Sequence, residues 1–182
     1  NVYNLGTELS LAIPRFAVPL LNIYTNSRYL PHTTLNIKYN YESSAGLLRI
    51  NSYSANYGYN WREGQHKEHN LRPVTFTYVR TDTLGNPGTL RPIYGNLIFN
   101  GIILGSAYDF TYNTQTGAAN KNAFFFNGRI DIAGNILGLS QKASFENNPR
   151  ILFGSTYAQY LLFQPDFRYY RQLTMSSMLA AR

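Results

Sequence analysis

Polar and apolar residues alternate one by one in Leu35-Asn36-Ile37-Lys38-Tyr39-Asn40-Tyr41-Glu42. Successive side chains of an extended strand point to opposite faces, so this segment has one aliphatic and aromatic face and one face of amides and charges. A helix would mix the two kinds of residue around its circumference. The segment therefore predicts a β-strand that lies between an apolar and a polar environment.

The same alternation recurs along the chain and predicts an all-β protein. The predicted strands cover residues 5–13, 33–42, 49–62, 74–78, 102–112, 124–132 and 157–171, and one more begins within 174–182. Pro14 ends the first strand, because proline cannot donate a hydrogen bond to a strand ladder. Residues 63–70 are predicted to form a polar loop, and residues 94–100 a short helical piece. We expect about eight antiparallel strands in a single domain of residues 1–182.

The composition is unusual for a soluble domain. Charged residues make up 14% of the chain, compared with about 25% in an average soluble domain. Tyrosine and phenylalanine occur 16 and 11 times, yet the mean hydropathy is slightly negative at -0.29. No apolar run approaches the roughly 18 residues that a transmembrane helix requires. This combination is typical of an outer-membrane β-barrel, in which half of each strand faces a polar interior.

Ionic residues of the predicted strands fall on the face opposite the aliphatic and aromatic residues. On this basis we interpret the following side chains as charges that face a barrel lumen: Glu8, Lys38, Glu42, Asp109, Arg129, Asp131, Asp166 and Arg168. Two pairs, Arg129 with Asp131 and Asp166 with Arg168, have an i,i+2 spacing that puts both partners on one face. The alternative is that all of these charges are simply hydrated and have no further role.

Aromatic residues are concentrated toward the ends of the predicted strands. Tyr39 and Tyr41 end one strand, and Tyr57, Tyr59 and Trp61 end the next. Amphipathic rings of this kind favour the level of the lipid headgroups, so we interpret these five as membrane-interface aromatics. The alternative is an aromatic cluster in the core of a soluble protein.

Residues suited to catalysis or metal binding are scarce. His66, Glu68 and His69 have a spacing that would suit a metal on a helix, but they fall in the predicted loop. The chain has no cysteine, no serine–histidine–aspartate arrangement and no phosphate-binding glycine loop. The net charge of +7 does not indicate a nucleic-acid partner, since the basic residues are scattered. We expect no enzymatic activity, no metal and no cofactor.

Several short segments follow one another in a characteristic order. They are Leu5-Gly6-Thr7-Glu8-Leu9-Ser10-Leu11, Ile13-Pro14-Arg15-Phe16, Pro31-His32-Thr33-Thr34-Leu35, Tyr57-Gly58-Tyr59-Asn60-Trp61, Asn70-Leu71-Arg72-Pro73-Val74, Tyr108-Asp109-Phe110-Thr111-Tyr112-Asn113, Gly128-Arg129-Ile130-Asp131-Ile132-Ala133-Gly134-Asn135 and Asp166-Phe167-Arg168-Tyr169-Tyr170. In order and spacing they resemble the barrel of the Omp85 superfamily, and most closely the BamA- or TamA-like surface antigens of Bacteroidetes. The resemblance covers essentially the whole chain.

The resemblance implies a sixteen-stranded barrel in the bacterial outer membrane, of which this chain would hold about half. Such barrels fold and insert other outer-membrane proteins, or move proteins across the membrane, without ATP or a catalytic side chain. The implied partners are outer-membrane lipids, unfolded outer-membrane proteins and accessory lipoproteins of an envelope complex.

Three family features do not occur between Asn1 and Arg182. These are the weak lateral seam between the first and last strands, the periplasmic POTRA domains and the Arg-Gly-Phe loop motif, on all of which the family's activity depends. The last strands of the barrel are not expected within this chain either. We therefore expect a partial barrel domain and transfer no motif residue as a functional site. Two other classes remain open from the sequence: a passive porin or receptor barrel, and a soluble all-β module that binds a ligand.

Overall fold

Antiparallel β-strands form nearly all of the regular structure. The computed structural model describes residues 2–18, 21–22, 28–44, 48–83, 100–115, 121–135, 137–138, 151–174 and 176–182. The strands are β1 (Val2–Ile13), β2 (Ala17–Val18), β3 (Leu21–Asn22), β4 (His32–Ser44), β5 (Leu48–Glu63), β6 (Lys67–Thr83), β7 (Gly101–Asn113), β8 (Asn122–Ala133), β9 (Ile151–Leu152), β10 (Ser155–Thr156), β11 (Tyr160–Gln172) and β12 (Met178–Ala181).

The main sheet has eight strands in the order β1-β4-β5-β6-β7-β8-β11-β12. Each strand pairs antiparallel with its neighbours, and β2–β3 and β9–β10 form two small separate hairpins. The prediction of an all-β chain with an antiparallel sheet is confirmed. The sheet is open, since β1 and β12 lie at its two edges and do not pair with each other.

The strands are staggered along the sheet. A single row of paired residues runs from Ile13 in β1 through Tyr59 and Tyr108 to Phe163 in β11. Ile13 is the last residue of β1, whereas Phe163 lies near the beginning of β11. The strands are therefore displaced progressively across the sheet, as in the inclined strands of barrel walls.

The predicted polar loop at residues 63–70 is wrong. A tight turn of Gly64–His66 connects β5 to β6, and β6 begins at Lys67. Gly64 has a φ of 79°, a conformation that favours glycine in a turn. The prediction failed because β6 continues through Pro73, where the pairing shifts register on both sides of the strand. Proline is tolerated there because it occupies a bulge.

Few apolar side chains of the described residues are buried. They are Leu48, Ile102, Ala107, Ala133 and Tyr157, and they lie on both faces of the sheet. Strand β7 extends past the end of β8, and there the chain after β10 pairs with it. The Ala158 amide donates to the Ile102 carbonyl at 2.9 Å. Among the residues described, no helix is long and apolar enough to span a membrane. The predicted helical piece at residues 94–100 lies, except for Asn100, outside the described residues.

Candidate functional site

The two faces of the main sheet differ sharply in chemistry. Directly paired residues of neighbouring strands share a face, so the register assigns every side chain. We call the face that carries the row Leu9, Ile37, Ala55, Phe76 and Leu104 the apolar face. The opposite face, which begins with the directly paired Glu8 and Lys38, is called the polar face.

The apolar face is the exposed one. Leu9 and Leu161 retain 71% and 69% of their accessible surface. The strongly exposed large apolar residues of this face are Tyr3, Leu5, Leu9, Leu11, Leu35, Ile37, Tyr53, Val74, Phe124, Ile130, Ile132, Leu161, Phe163, Phe167 and Leu179. In the described strands of the main sheet, the polar face exposes only Tyr160, Leu162 and Met178 in this way.

This exposure reverses the usual arrangement of a soluble protein. Burial of one large aliphatic or aromatic side chain contributes roughly 1.5–3 kcal/mol, and this face leaves that contribution unused across most of the sheet. Soluble monomers rarely expose contiguous apolar patches of more than a few hundred Å². A patch of this kind is typical of a surface that contacts a membrane or another protein.

Charges on the polar face form a network across three strands. Arg72 of β6 donates to Asp109 of β7, and Arg129 of β8 lies 3.8 Å from the same carboxylate. Arg129 also donates to Asp131 at 3.1 Å. The Asp131 side chain is only 14% exposed, and the Tyr160 hydroxyl lies 3.4 Å from its carboxylate. Opposite charges thus offset one another on a partly dehydrated surface.

Two further ionic clusters lie on the polar face, toward the end of the sheet that holds the turn between β5 and β6. In β6, Glu68 accepts hydrogen bonds from Arg62 at 2.8 Å and from Asn60 at 3.0 Å. Arg168 donates to Asp166 at 2.6 Å within β11, and Arg182 donates to the same carboxylate at 3.3 Å. The guanidinium carbon of Arg168 also lies 5.1 Å from the centre of the Phe125 ring.

The charges interpreted from the sequence as lumen-facing share the polar face. They are Glu8, Lys38, Glu42, Asp109, Arg129, Asp131, Asp166 and Arg168. Sequence reasoning missed Arg72, which is central to the network. One signal was present: in β6, Leu71 occupies an odd position, whereas Val74, Phe76 and Tyr78 occupy even positions. That change of parity indicates a bulge and puts Arg72 on the polar face.

The aromatic residues predicted for the membrane interface lie on the apolar face, in two groups at opposite ends of the sheet. Tyr39 belongs to a first aromatic band with Tyr53 and Tyr78, whose adjacent ring centres are 4.9 and 6.4 Å apart. Tyr41 lies one position farther toward the same end. The two groups separate because β4 and β5 run antiparallel, so the ends of these strands point in opposite directions.

Tyr57, Tyr59 and Trp61 belong to a second aromatic band at the other end of the apolar face. Trp61 stacks on His69 at 4.8 Å with nearly parallel rings, and Phe16 packs edge-on against Trp61 at 5.9 Å. The buried His69 ring also contacts Tyr108, with 2.7 Å between Nδ1 and the hydroxyl. His69 was expected in a loop, and its structural role was missed for that reason.

Charged residues of the apolar face flank the two bands on β5 and β6. Arg49 and Asp82 form a direct cross-strand pair outside the first band, and Glu63 and Lys67 form another outside the second. The segment from Tyr53 to Trp61 contains no ionic residue and is about nine residues long, close to the length of a strand that crosses hydrocarbon. The uncharged part of the apolar face is thus bounded at both ends.

Metal ligands do not converge in the part of the chain that the structure describes, where no group of three or more His, Cys, Asp or Glu side chains could hold an ion. His66 and His69 instead make separate contacts, His66 with the Asn113 carbonyl and His69 with Tyr108. Comparisons of the chain with protein-family models, with curated proteins and with solved structures gave no match.

Proposed function

We propose that this sheet is part of the wall of a transmembrane β-barrel in a bacterial outer membrane. The observation that carries the proposal is the reversed exposure of the sheet, with aliphatic side chains such as Leu9 outward and paired charges such as Arg72 and Asp109 on the other face. In water this arrangement forfeits apolar burial, whereas in a bilayer lipid tails would cover the apolar face. The polar face would then line the barrel interior.

Two geometric features support the same proposal. The consistent stagger from Ile13 to Phe163 is the kind of register that gives inclined strands in a barrel wall. The two aromatic bands lie at the two ends of an uncharged segment, Tyr53 to Trp61 of β5, whose length suits the hydrocarbon thickness of a membrane crossed by tilted strands.

Within that setting we propose a role in the assembly or insertion of outer-membrane proteins, or in their translocation across the membrane. This finer proposal rests on the resemblance to the Omp85 superfamily. Such a role would use a weakly paired edge at the seam of the complete barrel, and we propose β1 as that edge. The backbone groups of an open edge can pair with an incoming strand of an unfolded substrate.

Paired arginine substitutions test whether the apolar face contacts lipid. Leu9→Arg puts a cation on the apolar face, and Ala12→Arg puts the same cation on the polar face of the same strand. In a bilayer, Leu9→Arg should cost about 2–4 kcal/mol in the free energy of unfolding, and Ala12→Arg less than about 0.5 kcal/mol. Urea unfolding of the protein in native-like vesicles measures both. Equal tolerance of the two substitutions would refute the lipid contact.

Cysteine cross-linking tests the assembly role, because the chain has no cysteine of its own. A single cysteine at Thr7 in β1 should cross-link to a cysteine in the last strand of a newly synthesised outer-membrane protein. The matched control is a cysteine at Ala55 in β5, an interior strand with both edges paired, which lies on the same face as Thr7. Steady ion conduction without any cross-link to substrate would favour a passive porin instead.

A further inference from the structure

We propose that the rim of the apolar face beside Arg80 and the β9–β10 hairpin binds the phosphate headgroup of an anionic membrane lipid. This inference rests on the proposed membrane location and adds a specific lipid site to it. It arises from a polar cavity, an exposed guanidinium and a strained exposed phenylalanine that lie together at one end of the sheet.

The cavity has a volume of about 450 Å³ and lies between the end of β6, the start of β7 and the β9–β10 hairpin. Tyr78, Arg80 and Asp82 line it from the apolar face of β6, and Asn100 and Thr156 line it from the other side. Its lining therefore combines one cation, Arg80, and one carboxylate, Asp82, with several neutral hydrogen-bonding groups. Its position borders the first aromatic band, to which Tyr78 belongs.

The walls of the cavity are held by hydrogen bonds. The Thr156 hydroxyl donates to the Asn100 carbonyl at 2.8 Å, and the Asn100 side-chain amide donates to the Thr81 carbonyl at 3.2 Å. Tyr157, which follows the hairpin, forms a parallel bridge with Ile102 of β7. The hairpin is thus fixed against the main sheet, and the cavity is a built part of the fold.

The tip of the hairpin carries a conformationally costly aromatic residue. Phe153 and Gly154 have φ values of 50° and 75°, so both central residues of this two-residue turn are left-handed. Asparagine or aspartate normally precedes glycine in such turns, and a bulky residue there costs roughly 1–2 kcal/mol. The Phe153 ring is nevertheless 90% exposed, so intramolecular packing does not offset this strain. Insertion of the ring into a bilayer would offset it.

The charges at the rim suit a phosphate. The Arg80 side chain is 65% exposed, and its Nε donates to Asp82 at 3.3 Å within the same strand. That contact orients the guanidinium, whose other nitrogens can bind a phosphate in the bidentate manner typical of arginine. Arg49 lies directly opposite Asp82 on β5 and adds a second cation. Arg49, Arg80 and Asp82 together carry a net positive charge.

A lipid explains the site better than a free phosphate compound. The acyl chains of a lipid whose headgroup occupies the cavity would continue onto the apolar face next to Tyr78 and Phe76. A dissolved phosphate would make no use of this face or of Phe153. The charge and the adjoining apolar surface therefore favour one occupant, an anionic phospholipid.

Lipid retention by the detergent-solubilised protein tests the site directly. Native mass spectrometry would count bound phosphatidylglycerol, with phosphatidylcholine as the zwitterionic comparison. The Arg49→Gln/Arg80→Gln double variant should retain about tenfold less phosphatidylglycerol, the size expected for losing charge-assisted hydrogen bonds. Arg62→Gln, which removes an arginine from the polar face, should retain as much as the parent protein.

Phe153→Asn separates a lipid contact from a structural role. Asparagine suits the left-handed turn, so this variant should be at least as stable to heat as the parent and yet retain several-fold less phosphatidylglycerol. Unchanged lipid retention in the double arginine variant would overturn the inference, and so would equal binding of phosphatidylcholine or of glycerol phosphate. Integration into neutral phosphatidylcholine vesicles tests the proposed membrane location separately, because it does not require the headgroup site.

Discussion

Gly134 allows the chain after β10 to pack closely against the end of β8, because glycine has no Cβ. Its φ is 67°, and an added Cβ would lie 2.2 Å from the Ala158 carbonyl oxygen. Gly64 has a similar φ of 79° but open space around it. The two glycines therefore separate the cost of backbone conformation from the cost of a steric clash.

Gly134→Ala should destabilise the protein much more than Gly64→Ala. A left-handed alanine alone costs about 1–2 kcal/mol, and this is the whole expected effect at Gly64. At Gly134 the clash must also displace the backbone at Ala158, so we expect a total loss of more than about 3 kcal/mol. Urea titration monitored by circular dichroism gives both values. Similar losses in the two variants would show that Ala158 moves without cost.

At the scale of single residues, the sequence predicted faces but not contacts. The parity of the alternation put Asp109 and Arg129 on one side of their strands, and the structure has them there. Their contact depends on the register between β7 and β8, which turns and loops determine. The alternation within one strand carries no information about that register, so the network with Arg72 was not predictable.

Among the secondary-structure elements, β6 shows best where sequence reasoning fails. Uninterrupted alternation located β4, β5, β7 and β8 to within a few residues. In β6 the bulge at Pro73 changes the parity of the apolar positions, so the part of the strand before the proline resembled a loop. His69, which lies in this part of the strand, was therefore not assigned to either face of the sheet. The polar residues Lys67, Glu68 and Asn70, which have low strand propensity, added to this effect.

One carboxylate, that of Asp109, links side chains of β6, β7 and β8. Asp109→Asn removes the charge that Arg72 and Arg129 share and leaves two partly buried cations without it. We expect a loss of about 1–3 kcal/mol in the free energy of unfolding. The matched control is Asp82→Asn, whose pair with Arg80 is exposed and should contribute less than about 1 kcal/mol. An equal effect of both substitutions would argue against a shared network.

For the molecule as a whole, the alternation predicted two kinds of face but not the shape of the sheet. The stagger of the strands and the open shape of the sheet depend on the registers of all neighbouring strands, from Ile13 in β1 to Phe163 in β11. The separation of the two aromatic bands also depends on strand direction, because Tyr39 and Trp61 both lie toward the ends of their strands. The distance between the bands follows only from the assembled sheet. It predicts how deep a side chain of each band lies in the membrane, and this depth can be measured.

The only tryptophan of the chain, Trp61, provides a depth probe for the whole sheet. If the apolar face meets lipid, Trp61 should lie near the headgroups, because Glu63 follows two residues later on the same face. Lipids brominated near the carboxyl end of their acyl chains should therefore quench its fluorescence more than lipids brominated near the methyl end.

Moving the tryptophan checks this depth assignment and the wall geometry together. With Trp61→Tyr as background, Ala55→Trp lies between the two aromatic bands and should be quenched most by lipids brominated deep in the chains. Tyr53→Trp lies in the first band and should return to a shallow position, on the opposite side of the membrane from Trp61. A shallow position for all three, or no quenching of any, would exclude a sheet that crosses the bilayer, since only a spanning strand gives the order shallow, deep, shallow along nine residues.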